Sequence, residues 1–161
     1  MKELLLLRHG KSDWNTDTSD FERSLNKRGK RNTKQIGKWL LENNLQPDLI
    51  ISSPAKRALS TAQTVSQAMS LPINLIHVDE RIYAAEIDDL LKIMSEIPDT
   101  VHRLLLVGHN PSMEELLEYL VPEISLPDDG KLMPTATIAY LKMQKNKVTD
   151  FLLQRPKDLP L

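Results

Sequence analysis

Two short leucine runs limit what this chain can fold into more than any other feature. Leu4-Leu5-Leu6-Leu7 leads into Arg8-His9-Gly10, and Leu104-Leu105-Leu106-Val107 leads into Gly108-His109-Asn110-Pro111. Neither run alternates polar with apolar residues, and both are far too short to span a membrane. Such runs fit strands that can be buried on both faces, as in a parallel sheet. Ligands of open α/β sheets bind just beyond the carboxyl ends of the strands. Arg8, His9 and His109 are therefore expected at that edge. Taken alone, Arg8-His9-Gly10 favours the plainer reading, a strand end with two polar residues and a turn glycine.

The segments between these runs supply the helices. Asn26 suits the N-cap of a helix running through Leu41, with Ile36, Trp39 and Leu40 on one face and lysines opposite. Leu49-Ile50-Ile51 reads as a second buried strand. Ser53 and Pro54 fit the cap and first position of another helix, whose inner stripe is Ala58, Ala62, Val65 and Met69. Leu75 to Val78 is a third strand. Ile87, Leu90, Leu91, Met94 and Ile97 mark a third helix. Asn110 and Pro111 are expected to open a fourth, with Met113, Leu116, Leu117 and Leu120 inward. Thr135–Met143 and Val148–Leu153 read as a closing hairpin at a sheet edge. The expected fold is α/β: three layers, α/β/α, around a mostly parallel central sheet with an antiparallel edge. The 161 residues fit one domain covering 1–161.

Composition removes whole classes of function. Without cysteine there is no disulfide, thiolate metal site or cysteine nucleophile, which fits a cytoplasmic protein. A net charge of −1 gives no global field toward nucleic acid or membrane. The leucines after Met1-Lys2 end at Arg8 without a small-residue cleavage site, so they are not read as a signal peptide.

Arg8, His9, Arg57 and His109 converge if the strands lie side by side. So positive a cluster is costly unless it meets an anion. Arginine grips phosphoryl oxygens through paired hydrogen bonds, and helix N-termini at Pro54 and Pro111 are expected to favour an anion there. Phosphate is the best-matched guest.

Arg8-His9-Gly10-Lys11-Ser12-Asp13-Trp14-Asn15 resembles the opening motif of the histidine phosphatase superfamily, the phosphoglycerate-mutase-like proteins. Ser52-Ser53-Pro54-Ala55-Lys56-Arg57-Ala58, with Thr61-Ala62, is similar to its second motif, and Gly108-His109-Asn110-Pro111 to its third. Ser19 to Asn26 looks most like the SixA-type phosphohistidine phosphatases, although Ser24 stands where that type carries proline. Asn15 fits the mutase-like motif better. The resemblance implies a phosphoglycerate-mutase-like fold and a phosphatase that needs neither metal nor cofactor. His9 is implied as the nucleophile, forming a phosphohistidine that water then hydrolyses. Arg8, Arg57 and His109 are implied to bind the phosphoryl oxygens. Asn15 either donates to the phosphate or caps its loop. Glu80, in Asp79-Glu80-Arg81-Ile82-Tyr83, stands in the place of the proton donor, with Ala84 where mutases carry glycine; read by itself the segment is a solvated acidic loop.

The implied substrate is a phosphorylated protein, such as a histidine-phosphorylated signalling domain. Alternatives are a small phosphate ester hydrolysed by a phosphomonoesterase of the same superfamily, and a catalytically silent phosphate-binding module. Mutases that resemble the first motif carry a long insertion before the second histidine, which is absent here. Arg23 is within reach of the substrate, but reads first as half of a surface ion pair. His77 and His102 read as ordinary polar residues, and Asp128-Asp129 as a turn.

Overall fold

The computed structural model describes residues 1–161. The chain runs β1 (Glu3–Arg8), α1 (Lys27–Glu42), β2 (Leu49–Ser52), α2 (Lys56–Ala68), β3 (Ile76–Val78), α3 (Ile87–Ser95), β4 (Arg103–Gly108), α4 (Ser112–Leu120), β5 (Ile138–Gln144) and β6 (Lys147–Gln154). The strands form one six-stranded sheet in the order β3-β2-β4-β1-β5-β6. β1 to β4 are parallel, while β5 and β6 run antiparallel at one edge. This is the α/β architecture expected from the sequence. No helix is long and apolar enough to cross a membrane.

The leucine runs work by alternation. Leu4, Leu6, Leu104 and Leu106 pack on one side of the sheet with Met113, Leu116 and Leu117 of α4 and Leu90 and Ile93 of α3. Leu5, Leu7, Leu105 and Val107 pack on the other with Ile36 and Leu40 of α1 and Ala58, Ala62 and Val65 of α2. Successive side chains of a strand face opposite ways, so a continuous apolar run is what a strand covered on both sides requires.

Chain direction explains which helix lies where. From β1 through β2 to β3 the strand positions progress one way along the sheet, and α1 and α2 share a face. From β3 to β4 the progression reverses, and α3 with α4 takes the other face. Right-handed crossovers impose this relation. β1 and β4 are adjacent, and the connections leaving them pass to opposite faces. The crevice outside their carboxyl ends is thus the topological switch point, where such sheets bind ligands.

Two helices start later than their caps suggest. α2 begins at Lys56, because Ser53 and Pro54 belong to a turn in which Ser53 Oγ accepts from the Ala55 amide at 3.2 Å. α4 begins at Ser112; Asn110 instead donates its side-chain amide to the Met133 carbonyl at 2.9 Å. Asn26 caps α1 as expected, accepting from the Gly29 amide at 2.8 Å. Gly29 has no room for a side chain: a Cβ there would lie 2.1 Å from the Lys11 carbonyl oxygen. That contact presses the start of α1 onto the loop that leaves β1, next to the expected site.

Candidate active site

Sheet register brings the histidines together. Arg8 lies opposite Gly108 on the neighbouring parallel strand, so the next residues, His9 and His109, emerge side by side. The His9 amide donates to the Gly108 carbonyl at 3.0 Å, and the ring centroids are 5.2 Å apart. Ser53, at the end of β2, hydrogen-bonds His109 Nε2 through its Oγ at 2.7 Å. The three strand ends thereby fix one imidazole pair.

His9 Nδ1 lies 2.7 Å from the Gly10 carbonyl oxygen. A carbonyl can only accept, so Nδ1 carries the proton and Nε2 of the neutral ring keeps its lone pair. Gly10 itself is needed for close packing: a Cβ would meet Thr33 Cγ2 at 2.8 Å and the Gly29 carbonyl oxygen at 3.0 Å. Its close neighbour is the start of α1. The Gly10 amide donates to Thr61 Oγ1 at 3.0 Å, and Thr61 donates to the Arg57 carbonyl at 2.7 Å. This chain of bonds ties the loop that follows β1 to the first turns of α2.

Arg8, His9, Arg57 and His109 line a single cavity of about 260 Å³, together with Lys11, Ser12, Trp14, Arg23, Asn110 and Thr135. Arg8 Nε, Arg57 Nε and His109 Nδ1 are buried and find no hydrogen-bond partner in the protein. No carboxylate belongs to the lining. The cavity is a nest of donors suited to an anion with several oxygens.

Burial, more than the arginines, keeps the imidazoles neutral. It pushes His9 down to about 3, with His109, Arg57 and Arg8 adding to the effect. It pushes His109 down to about 4, with Arg57 the next cause. Both rings are expected to stay neutral to pH 5, as imidazole NMR titration would show; protonation of His9 near 6.5 would contradict it. The sign for stability follows. Between about 6.5 and these lowered values the unfolded chain binds more protons than the folded one, so stability falls as pH drops through that window. Denaturant melts between pH 7 and 4 measure this directly.

The arginines are partly neutralised from within. Asp20 pairs with Arg57, Oδ2 to Nη2 at 3.1 Å, and with Arg23, Oδ1 to Nη1 at 2.8 Å. Tyr83 donates its hydroxyl to Asp20 at 2.7 Å, and this bond leads the causes holding that carboxyl at about 2. The charge argument from sequence required an outside anion; Asp20 supplies part of the balance. Arg23, expected as a surface ion pair, is buried in the cavity wall. Its Nε donates to Ser12 at 2.8 Å, and its guanidinium lies 3.6 Å from the Trp14 ring centroid.

Glu80 and Asn15 are not part of the lining. Glu80 opens a tight turn, Glu80–Ile82, in which Ile82 is buried against Gly108 and Glu80 is left in solvent. Asn15 is exposed, and its amide is held by Asp13 Oδ1 at 3.0 Å, so Asp13 caps that loop. Ala84 adopts φ 56°, the left-handed conformation for which glycine is usual.

The sequence profile of the histidine phosphatase superfamily (branch 1) matches residues 4–88. An uncharacterized protein of Mycobacterium tuberculosis is 31% identical over 144 residues, covering 85% of this chain and 87% of its own. A 2,3-bisphosphoglycerate-dependent phosphoglycerate mutase of Arthrobacter sp. is 30% identical over 136 residues, but the chain spans only 51% of that relative's length. Among solved structures, a protein assigned as the phosphohistidine phosphatase SixA of Agrobacterium tumefaciens superposes with a TM-score of 0.79 at 30% identity, covering 94% of this chain and 97% of the other. The protein histidine phosphatase SixA complexed with tungstate superposes with a TM-score of 0.83 at 20% identity, covering 97% and 98%; that similarity concerns the fold.

Proposed function

Because the chain belongs to the histidine phosphatase superfamily, we propose that it is a phosphatase that passes the phosphoryl group through His9, with phosphohistidine on proteins as its substrate. The observation that carries this reading is the fixed tautomer of His9. Its Nδ1 proton is held by the Gly10 carbonyl, which leaves Nε2 free to attack phosphorus. Arg8, Arg23, Arg57 and His109 surround the same cavity and are suited to the charge of the transferring group. The nitrogen–phosphorus bond of the substrate breaks as the bond to His9 Nε2 forms. Water then hydrolyses the phosphorylated His9 and releases phosphate.

The choice of phosphohistidine rests on the leaving group. An alkoxide must be protonated as it departs, and a positioned acid contributes roughly 10²–10⁴-fold. No carboxylic acid lines the cavity, Glu80 is in solvent, and Asp20 is an anion at neutral pH. Imidazole departs with far less help. The cavity is small and lies beside the exposed Trp14, so a phosphorylated side chain protruding from a protein can reach it.

A comparison of kcat/KM on phosphohistidine peptides with that on a panel of alkyl phosphate esters tests the reading. Phosphohistidine is expected to be preferred by at least about a hundredfold. Equal or faster turnover of an alkyl ester would favour a small-molecule phosphomonoesterase, and no turnover of any substrate a silent phosphate-binding module.

A further inference from the structure

A second, larger groove of about 570 Å³ adjoins the catalytic cavity at Thr135, which lines both. α1 forms one wall. The loop carrying Asp129 and Lys131 and the C-terminal stretch from Arg155 form the other. Gln35 pins that stretch to α1 by donating to the Pro160 carbonyl at 2.8 Å.

The groove is strongly cationic although the chain as a whole carries −1. Asp129 is the sole carboxylate side chain in its lining, and it is held by Arg155 Nη1 at 2.6 Å. Arg28, Arg31 and Lys131 are exposed and join none of the ion pairs of the molecule. A further depression shares Arg31 and Gln35 with the groove and extends past Lys34 and Lys38 to a single acid, Glu42. Arg28, Arg31, Gln35 and Lys38 are spaced by three, four and three residues, so they form one stripe about 15 Å long. Ile36 and Leu40 bury the opposite side of the helix. Across the sheet, α4 carries Glu114, Glu115 and Glu118 and no cation. Charge is segregated between the two faces, and the positive one borders the active site. Thr137, wholly buried in the groove wall, keeps an unpartnered Oγ1.

We propose that this groove docks an acidic face of the phosphorylated protein substrate, its carboxylates lying along α1 while the phosphorylated side chain enters beside Thr135. The inference rests on a phosphohistidine protein being the substrate. The stripe is longer than a single phosphate ester can occupy, so a small molecule would leave most of it unused. The groove itself holds no aromatic side chain, and the one in the adjoining depression, Trp39, is half-buried against the core, so the surface offers no run of free rings on which successive bases could stack. Charges at the rim of an interface act mainly on encounter rate and partner choice, and salt screens them.

The test uses the triple variant R28Q/R31Q/K38Q, in which glutamine keeps helix propensity and no residue of the catalytic cavity changes. Three probes are compared: free phosphohistidine, a phosphohistidine peptide flanked by glutamates, and the same peptide flanked by glutamines. At low salt the unaltered protein is expected to favour the glutamate peptide by about tenfold or more. About 1 M salt, where the Debye length is about 3 Å, should erase that preference. The triple variant should lose it as well, while hydrolysing free phosphohistidine unchanged. Absence of a preference in the unaltered protein, or an equal loss on all three probes, would overturn the docking surface. If no phosphohistidine probe is hydrolysed, the substrate assignment falls instead. Fluorescence anisotropy with a labelled polyglutamate peptide then decides the groove alone: weaker binding to the triple variant upholds it, and equal binding refutes it. A labelled oligonucleotide bound more tightly than the peptide, in a manner lost in the variant, would reassign the groove to nucleic acid and overturn the proposal.

Discussion

His9→Ala is expected to lower turnover by roughly a thousandfold or more, to the limit of detection, while the fold persists. Removing the nucleophile from a group of residues that act together typically costs as much as removing the whole group. Here the loss is specific, because nothing near His9 can replace it. His109 is tied to Ser53 through Nε2 and its Nδ1 is buried, and no cysteine exists in the chain. The fold should survive because His9 follows the last residue of β1, and its backbone amide keeps its bond to Gly108 whatever the side chain. Circular dichroism and a denaturant melt check that point. Acid-quenched unaltered protein incubated with labelled substrate should carry an acid-labile phosphoryl group on His9, and the variant should carry none. Turnover retained within tenfold would remove His9 as nucleophile.

Arg57→Ala is expected to lower kcat/KM by about a hundred- to a thousandfold, the usual cost of losing one donor to a developing oxyanion, about 3–4 kcal/mol. Arg57 is only 6% exposed and has two tasks. It lines the cavity, and it anchors the Asp20 loop through the Asp20 carbonyl at 2.6 Å and the carboxylate at 3.1 Å. Arg57→Lys separates these tasks. A lysine keeps the charge but not the planar fork, so it cannot satisfy the Asp20 contacts and the phosphoryl group together. Partial activity with a raised KM is expected for the lysine variant. A loss below about tenfold in Arg57→Ala would place the phosphoryl group elsewhere.

The parts of the site that could be read in advance are those fixed by short-range rules. Arg8-His9-Gly10 and Gly108-His109 follow apolar runs that can only be buried parallel strands, and their place at the sheet edge follows from that. Arg57 is the second residue of α2, just past the end of β2, so its approach to the same edge is also legible. For Glu80 the residues by themselves read as a solvated acidic loop while the resemblance implied a proton donor, and the burial of Ile82 turns the segment so that Glu80 faces water. Arg23 makes the expected ion pair with Asp20, but not at the surface. An arginine three residues after an aspartate looks like a surface pair, and only the packing of the loop under Trp14 and beside Arg57 buries it.

The amino-acid sequence by itself determined the α/β class, the order of strands and helices, and the identity of the imidazoles and arginines at the strand ends. Those follow from periodicity and from what a doubly covered strand must contain. Tertiary structure alone decided which strands are neighbours, and therefore that His9 meets His109 at 5.2 Å. It also decided that burial keeps both rings neutral, and that Asp20 shares in balancing the arginines. Register, burial and ion pairing depend on residues distant in the chain, and their free energies exist only once those residues are packed together.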